Sequence, residues 1–328
     1  MSDVLVLSAS DVKRLVDIRA VIAAVEDAFR AYGRGASKLG PIALTLIDKH
    51  EGELEIKSGY VEEFCTATKI LLYYKDNPSK RGLPALSGTI VLNDINDGKP
   101  FAVLDGTYIT ANRTGAAGAI AAKYLARPNS EDIGVIGAGT QGRAQVAALN
   151  EIFNIKTVRV YDIDSQRTTN YVREMSAQYP FKVEPAESPA HAVLDADIIV
   201  TVTTSTKAIV QNEWVHEGVH INAIGADTPG KQELDPAIIP RAKVIVDSIA
   251  QCVERGEIQT AMRLGLLKKE NIYAELSDIL LGRKPGRVSP EEITLFDATG
   301  MIVQDITTAW TVYQLAKKQG LGINAKID

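Results

Sequence analysis

The stretch IGVIGAGTQGRAQVAALN, which begins at Ile133, constrains the fold more than any other part of the chain. An apolar, β-branched run leads into Gly137, Gly139 and Gly142 at G-x-G-x-x-G spacing, and a helix-forming run follows. Gly137 permits a tight turn, Gly139 lets a pyrophosphate reach the backbone, and Gly142 lets helix and strand pack closely. Thr140 and Gln141 open the helix, whose free N–H groups and positive dipole end then face the phosphates. The next strand, in TVRVYDID, ends on Asp162, twenty residues after Gly142. An acid at that distance hydrogen-bonds a ribose 2′-hydroxyl. Asp162 would repel a 2′-phosphate, and no Arg or Ser directly follows its strand, so NAD(H) is favoured over NADP(H). Arg167 lies nearby at what reads as a surface helix position.

After this point short β-branched runs (TVRVYDID, DIIVTVTT, VHINAIGAD, AKVIVDS) alternate with helices, the pattern of a parallel sheet with crossover helices. Before it, SASDVKRLVDIRAVIAAVEDAFRAYGRG predicts a short helix and then a longer amphipathic one. Residues 41–107 change to β-rich runs: IALTLI, ELEIKSGYV, ATKILLYY, GTIVLND and PFAVLDGTYI. The turn NDGKP makes a hairpin of the last two. An Ala-rich helix over 109–128 and a final helix over about 302–319 complete the reading. The fold class is α/β: a Rossmann dinucleotide-binding domain plus an α+β lobe, to which the final helix returns.

Composition excludes several alternatives. A net charge of −5, with scattered Lys and Arg, gives no reason to expect nucleic acid or an anionic membrane as partner. No apolar run approaches the roughly 18 residues of a membrane span. Cys65 and Cys252 stand alone, which fits a reduced, cytoplasmic protein. WVHEGVH contains a literal H-E-x-x-H, but zinc ligation needs His216 and His220 one turn apart on a helix. Gly218 breaks that helix, Glu217-Gly218 reads as a turn and His220 as a strand start, so no metal is expected.

GLPALSGTIVLND, GKPFAVLDGTYITANRTGAAGAIAAKYLARP, IGVIGAGTQGRAQ, INAIGADTPGKQEL and LFDATGMIVQD together resemble the ornithine cyclodeaminase/mu-crystallin family. That resemblance implies a homodimer with a substrate-binding and dimerisation lobe over 1–117 and 304–328, and the NAD-binding domain over 118–303. It implies that Lys69 handles substrate and that Arg113 pairs with the substrate carboxylate. Asp227, just past its strand, would be the acid/base. Thr114 would contact cofactor phosphate, and Asp297 and Thr299, in the loop returning to the first lobe, would lie near the nicotinamide. The chemistry wants these types: a guanidinium grips a carboxylate bidentately, and a carboxylate can protonate an imine or deprotonate an ammonium. By residue type alone, Lys69 also suits an edge-strand charge, Arg113 a solvated cation and Asp227 a turn initiator.

The chain departs from the family pattern in lacking the Arg of the first strand and the NGHP segment of ornithine cyclodeaminases. It gains Lys57 in ELEIKSGY, which either reaches the pocket and helps select a side chain or second carboxylate, or is a solvated strand lysine. The resemblance therefore implies an NAD(H)-dependent oxidoreductase on the C–N bond of a small 2-amino or 2-imino acid, of the alanine dehydrogenase or ketimine reductase type. A cyclodeaminase, or a cofactor-binding protein without turnover, is the alternative.

Overall fold

The structure is a computed structural model that describes residues 2–327, and it divides into two compact units, Met1–Arg113 with Met301–Asp328, and Thr114–Gly300. In the first unit an eight-stranded sheet runs in the order Ile323–Ile327, Ser2–Leu7, Pro100–Asp105, Leu86–Asn93, Cys65–Tyr74, Gly52–Val61 and Ser37–Leu39, with Ala43–Ile47 also paired to Gly52–Val61. All pairings are antiparallel except Ser2–Leu7 with Pro100–Asp105. The Cys65 strand is central, and its burial alternates, so that Cys65, Ala67, Lys69 and Leu71 share the covered face. Lys57 lies directly opposite Lys69 on the neighbouring strand.

The helices Ile18–Gly33 and Ile302–Gln319 pack on each other and on these strands. The first buries the stripe Val21, Val25, Ala28 and Phe29, with Asp17 capping its N-terminus by accepting from the Ala20 amide. The second starts against the Gly52 strand, where a β-carbon on Gly59 would come within 2.7 Å of Ile302 Cγ2. A side chain at Gly59 would therefore have to displace both the Ile302 side chain and the Lys38 carbonyl oxygen, which lies 2.4 Å from the same point.

The second unit carries an all-parallel sheet: Lys182–Pro185, Thr157–Tyr161, Asp132–Ile136, Ile198–Thr201, His220–Ala223, Ile293–Asp297, Ala242–Val246 and Ala274–Glu275. The strand before the glycine loop is flanked on one side by the next strand in sequence and on the other by a later one. The loop therefore opens at the point where strand order reverses, which is where open α/β sheets bind ligands. Its helix, Thr140–Leu149, is approached closely by Gly106–Leu125: β-carbons on Gly115 and Gly118 would strike Ala144 O and the Gln145 side chain at 2.3 and 2.0 Å.

Two expectations change. The strand run PFAVLDGTYI ends at Asp105, and the helix begins at Gly106, because the Asp105 carboxylate accepts from the Tyr108 amide and caps it. Asp297 is not in a loop; it closes the strand Ile293–Asp297, inserted between the His220 and Ala242 strands. The strand Ser2–Leu7 has no counterpart in the sequence reading. No helix among the described residues is long and apolar enough to cross a membrane.

Candidate functional site

At the glycine loop, Gly137 has φ +113°, a conformation that favours glycine, and its amide bonds to Tyr161 O at 2.8 Å. A β-carbon on Gly142 would sit 2.4 Å from Gly137 O, so a methyl group there would open the turn. Gly139 is different: nothing lies within 4 Å of its β-carbon position, and it begins a ten-residue helix that has no side-chain cap. Open space in front of uncapped N–H groups fits a pyrophosphate. The Asp162 carboxylate is set at the loop, accepting from Ala138 N at 2.9 Å and Asp164 N at 3.0 Å. Each of its oxygens keeps a further lone pair for a ribose hydroxyl. Arg143, which the sequence reading did not single out, donates to Ala138 O and Gly139 O and stacks over Tyr171, fixing the loop from behind. Thr114 is buried and its carbonyl accepts from Gln145 Nε2. Arg167 is exposed beside Asp164.

Asp227 lies four residues beyond the His220–Ala223 strand, half-exposed, and accepts from Lys231 Nζ at 2.6 Å and Thr228 Oγ1 at 3.2 Å. The loop that carries it is held by a buried carboxylate that sequence reasoning missed. Glu233 accepts from the amides of Thr203 and Gly225, tying together the segments after two adjacent strands. Glu257 in turn accepts from the amides of Glu233 and Leu234. Burial pushes Glu233 up to about 7. Nothing in QELDP distinguishes such a clamp from a surface glutamate, since its partners are backbone amides remote in sequence.

Asp297 is fully buried, with Oδ2 accepting from Ile258 N at 3.1 Å and Oδ1 without a hydrogen-bond partner among the described residues. Burial pushes it up to about 8, reinforced by the neighbouring Asp247 charge. Because the native chain then holds a proton that the unfolded chain releases near the ordinary value, this group's stabilisation is full below about 3.8 and is lost as pH rises through 8. Asp297→Asn cannot titrate, so its unfolding free energy between pH 5 and 7 is expected to fall less steeply, by roughly 1.4 kcal/mol per pH unit. Urea unfolding at several pH values measures this, and parallel slopes would contradict it.

In the first unit Lys69 is fully buried and is no edge-strand charge; its Nζ donates to Asp305 Oδ2 at 2.7 Å. Arg113 is also buried, donating from Nε to Asp305 Oδ1 at 3.0 Å and from Nη1 to Gln304 Oε1 at 2.8 Å. Asp305 thus bridges the two cations that the resemblance assigned to substrate, and sequence reasoning missed it. A lone acid in the apolar helix run MIVQDITTAW was the available signal. Burial alone would raise the Asp305 carboxyl, but the Arg113 and Lys69 charges outweigh it and hold it low. Lys69 is pulled down to about 7, chiefly by burial and then by Arg113; its pairing with Asp305 opposes this without overcoming it. Lys57 is buried too, with Nζ 3.3 Å from Glu55 Oε1, so it is not a solvated lysine.

His216 and His220 share no helix. Glu217 and Gly218 form a turn, with φ +82° at Gly218, and His220 opens a strand. The His220 ring is fully buried between Thr294 Oγ1 and Asn222 Oδ1, and burial pulls it down to about 3.

The model of the ornithine cyclodeaminase/mu-crystallin family matches residues 2–320. The alanine dehydrogenase of Archaeoglobus fulgidus is 40% identical over 99% of this chain and 98% of its own length. The structure of Thermococcus litoralis Δ1-pyrroline-2-carboxylate reductase, in complex with NADH and L-proline, superposes with a TM-score of 0.95 at 36% identity, covering 98% of this chain and all of that one. An archaeal alanine dehydrogenase dimer with bound NAD gives 0.94 at 39% identity, covering 99% of this chain and all of that one. With a match across nearly its whole length and an architecture shared with these enzymes, the chain belongs to the ornithine cyclodeaminase/mu-crystallin family.

Proposed function

We propose that the chain is an NAD(H)-dependent oxidoreductase acting on the C–N bond of a small 2-amino or 2-imino acid. The observation that carries this reading is the buried Lys69–Asp305–Arg113 cluster, in a chain that also holds a glycine-rich loop with the Asp162 carboxylate set against it. When bound at the glycine loop, NADH would supply the hydride for reduction of the C–N bond. Arg113 and Lys69 take the substrate carboxylate, which a guanidinium orients through paired N–H donors. Lys69, titrating near neutrality, holds a proton that it can share with substrate. Asp227 exchanges the proton of the imine or amine nitrogen, and Lys231 steadies its carboxylate. Lys57 helps to set the charge of the carboxylate-binding cluster.

Gly137, Gly139, Thr140, Gln141, Gly142, Asp162 and Thr114 would hold the dinucleotide, and Asp162 favours NAD(H) over NADP(H). Asp162→Ala is expected to raise the KM for NADH about tenfold or more while improving NADPH, because the substitution removes a charge-assisted hydrogen bond and a repulsion together. Unchanged KM values for both nucleotides would exclude Asp162 from the ribose site. A homodimer is the expected assembly, as in the archaeal alanine dehydrogenase. The two buried free cysteines support a reducing, cytoplasmic setting.

The test is a panel followed at 340 nm: pyruvate with ammonia, glyoxylate with methylamine, pyrroline- and piperideine-2-carboxylate and iminosuccinate with NADH, and ornithine with catalytic NAD⁺. NADH oxidation with at least one imine is expected. Ammonia release from ornithine alone would identify a cyclodeaminase, and silence across the panel a cofactor-binding protein.

A further inference from the structure

Beside Arg113 lies a buried donor that the cluster does not use. Gln304 is fully buried in the first turns of the helix Ile302–Gln319. Its Oε1 accepts from Arg113 Nη1, and since a guanidinium only donates, this contact fixes which end of the amide faces Arg113. The other end, Nε2 with two N–H groups, has no partner among the described residues. A buried donor in that state has lost its hydration without return, and native proteins keep few of them. One turn further along the same helix, the buried Thr308 hydroxyl is likewise without a partner.

The surroundings say what acceptor would satisfy it. Arg113 commits Nε to Asp305 and Nη1 to Gln304, and Lys69 commits one of its three N–H donors to Asp305. Among the described residues the buried cations Lys69 and Arg113 share the single carboxylate of Asp305. Donors in excess of acceptors and cations in excess of anions are both met by one carboxylate group.

We propose that Gln304 is a substrate-binding residue, its Nε2 donating to the carboxylate of a monocarboxylic 2-imino or 2-oxo acid that Arg113 and Lys69 attract. This rests on the function proposed above and adds the residue that reads the carboxylate as an acceptor, beyond its charge. Asp305 and Oε1 of Gln304 then act together, aligning the guanidinium from the side away from the substrate.

Gln304→Glu keeps the length, the shape and the acceptor that Arg113 uses, but replaces the donor with a second carboxylate oxygen. Its added charge repels a carboxylate in any case, so Gln304→Met, which removes the donor without adding charge, is measured with it. The expected result is a KM for the imino acid raised about 10- to 100-fold, with kcat changed much less and the KM for NADH unchanged. Pyruvate binding, measured by titration calorimetry, should weaken in parallel. A variant with wild-type KM and wild-type pyruvate affinity overturns the proposal while leaving the oxidoreductase reading intact. If wild-type protein turns over no imine yet binds pyruvate, and neither variant does, the binding role stands and the reaction is wrong. Should Q304E fail to fold, Gln304→Met alone is compared on the imines of pyruvate and pyruvamide. A roughly tenfold fall in preference for the carboxylate is expected, and an unchanged preference overturns the proposal.

Discussion

Alanine at Asp305 is expected to destabilise the protein by about 3–5 kcal/mol, the cost of leaving a buried charge pair broken. Asp305 is fully buried and serves two cations at once, at 2.7 Å to Lys69 and 3.0 Å to Arg113. The side chains of those partners are 0% and 5% exposed, so water cannot replace the lost carboxylate. Neutralising one partner should return part of the stability, because a cation removed with its anion leaves less uncompensated charge. Asp305→Ala with Lys69→Met is therefore expected to be more stable than Asp305→Ala alone. Urea unfolding of the two variants and the wild type measures both effects. A single variant within 1 kcal/mol of wild type would show that the bridge contributes little.

Asp227→Asn is expected to lower kcat/KM by about 10²–10⁴, the usual worth of a positioned general acid or base. Asparagine matches the carboxylate in shape and can still accept from Lys231 and Thr228, so the loop should hold while proton exchange is lost. Glu233 clamps the same loop through backbone amides and is untouched by the change. NADH affinity and melting temperature should therefore stay close to wild type. Full activity in this variant would move the proton-transfer role to another group, with Lys69 the first to examine.

Local chemistry explains why so much of the second unit was legible. Glycine spacing, β-branched runs and the acid after the second strand are short-range signals, each tied to one backbone or packing requirement. The helix over 165–178 follows in the same way from its Asp164 N-cap, and in the first unit the helix over 302–319 ends at Gly320 in the left-handed conformation. The first misplacements are local too: the Asp105 cap lies inside an apolar run, where periodicity cannot show it. Asp297 was misplaced for a different reason. A fully buried parallel strand is a short apolar run like any other, and its insertion between two earlier strands is a matter of sheet order.

By itself the sequence determined the strand, glycine loop and helix with Asp162 after the next strand, and the two-part architecture, because each depends on neighbours close along the chain or on motifs of fixed spacing, whereas Lys69, Arg113 and Asp227 stood out only through the family resemblance. It left Lys69 and Lys57 open between surface and interior, since a lysine in a strand reads the same in both. Only the tertiary structure decided that both are buried, that Asp305 joins Lys69 to Arg113 across 236 and 192 residues of chain, and that Gln304 faces Arg113. Charge pairing in the interior is set by which side chains the fold brings within about 3 Å, and separation along the chain carries no trace of it.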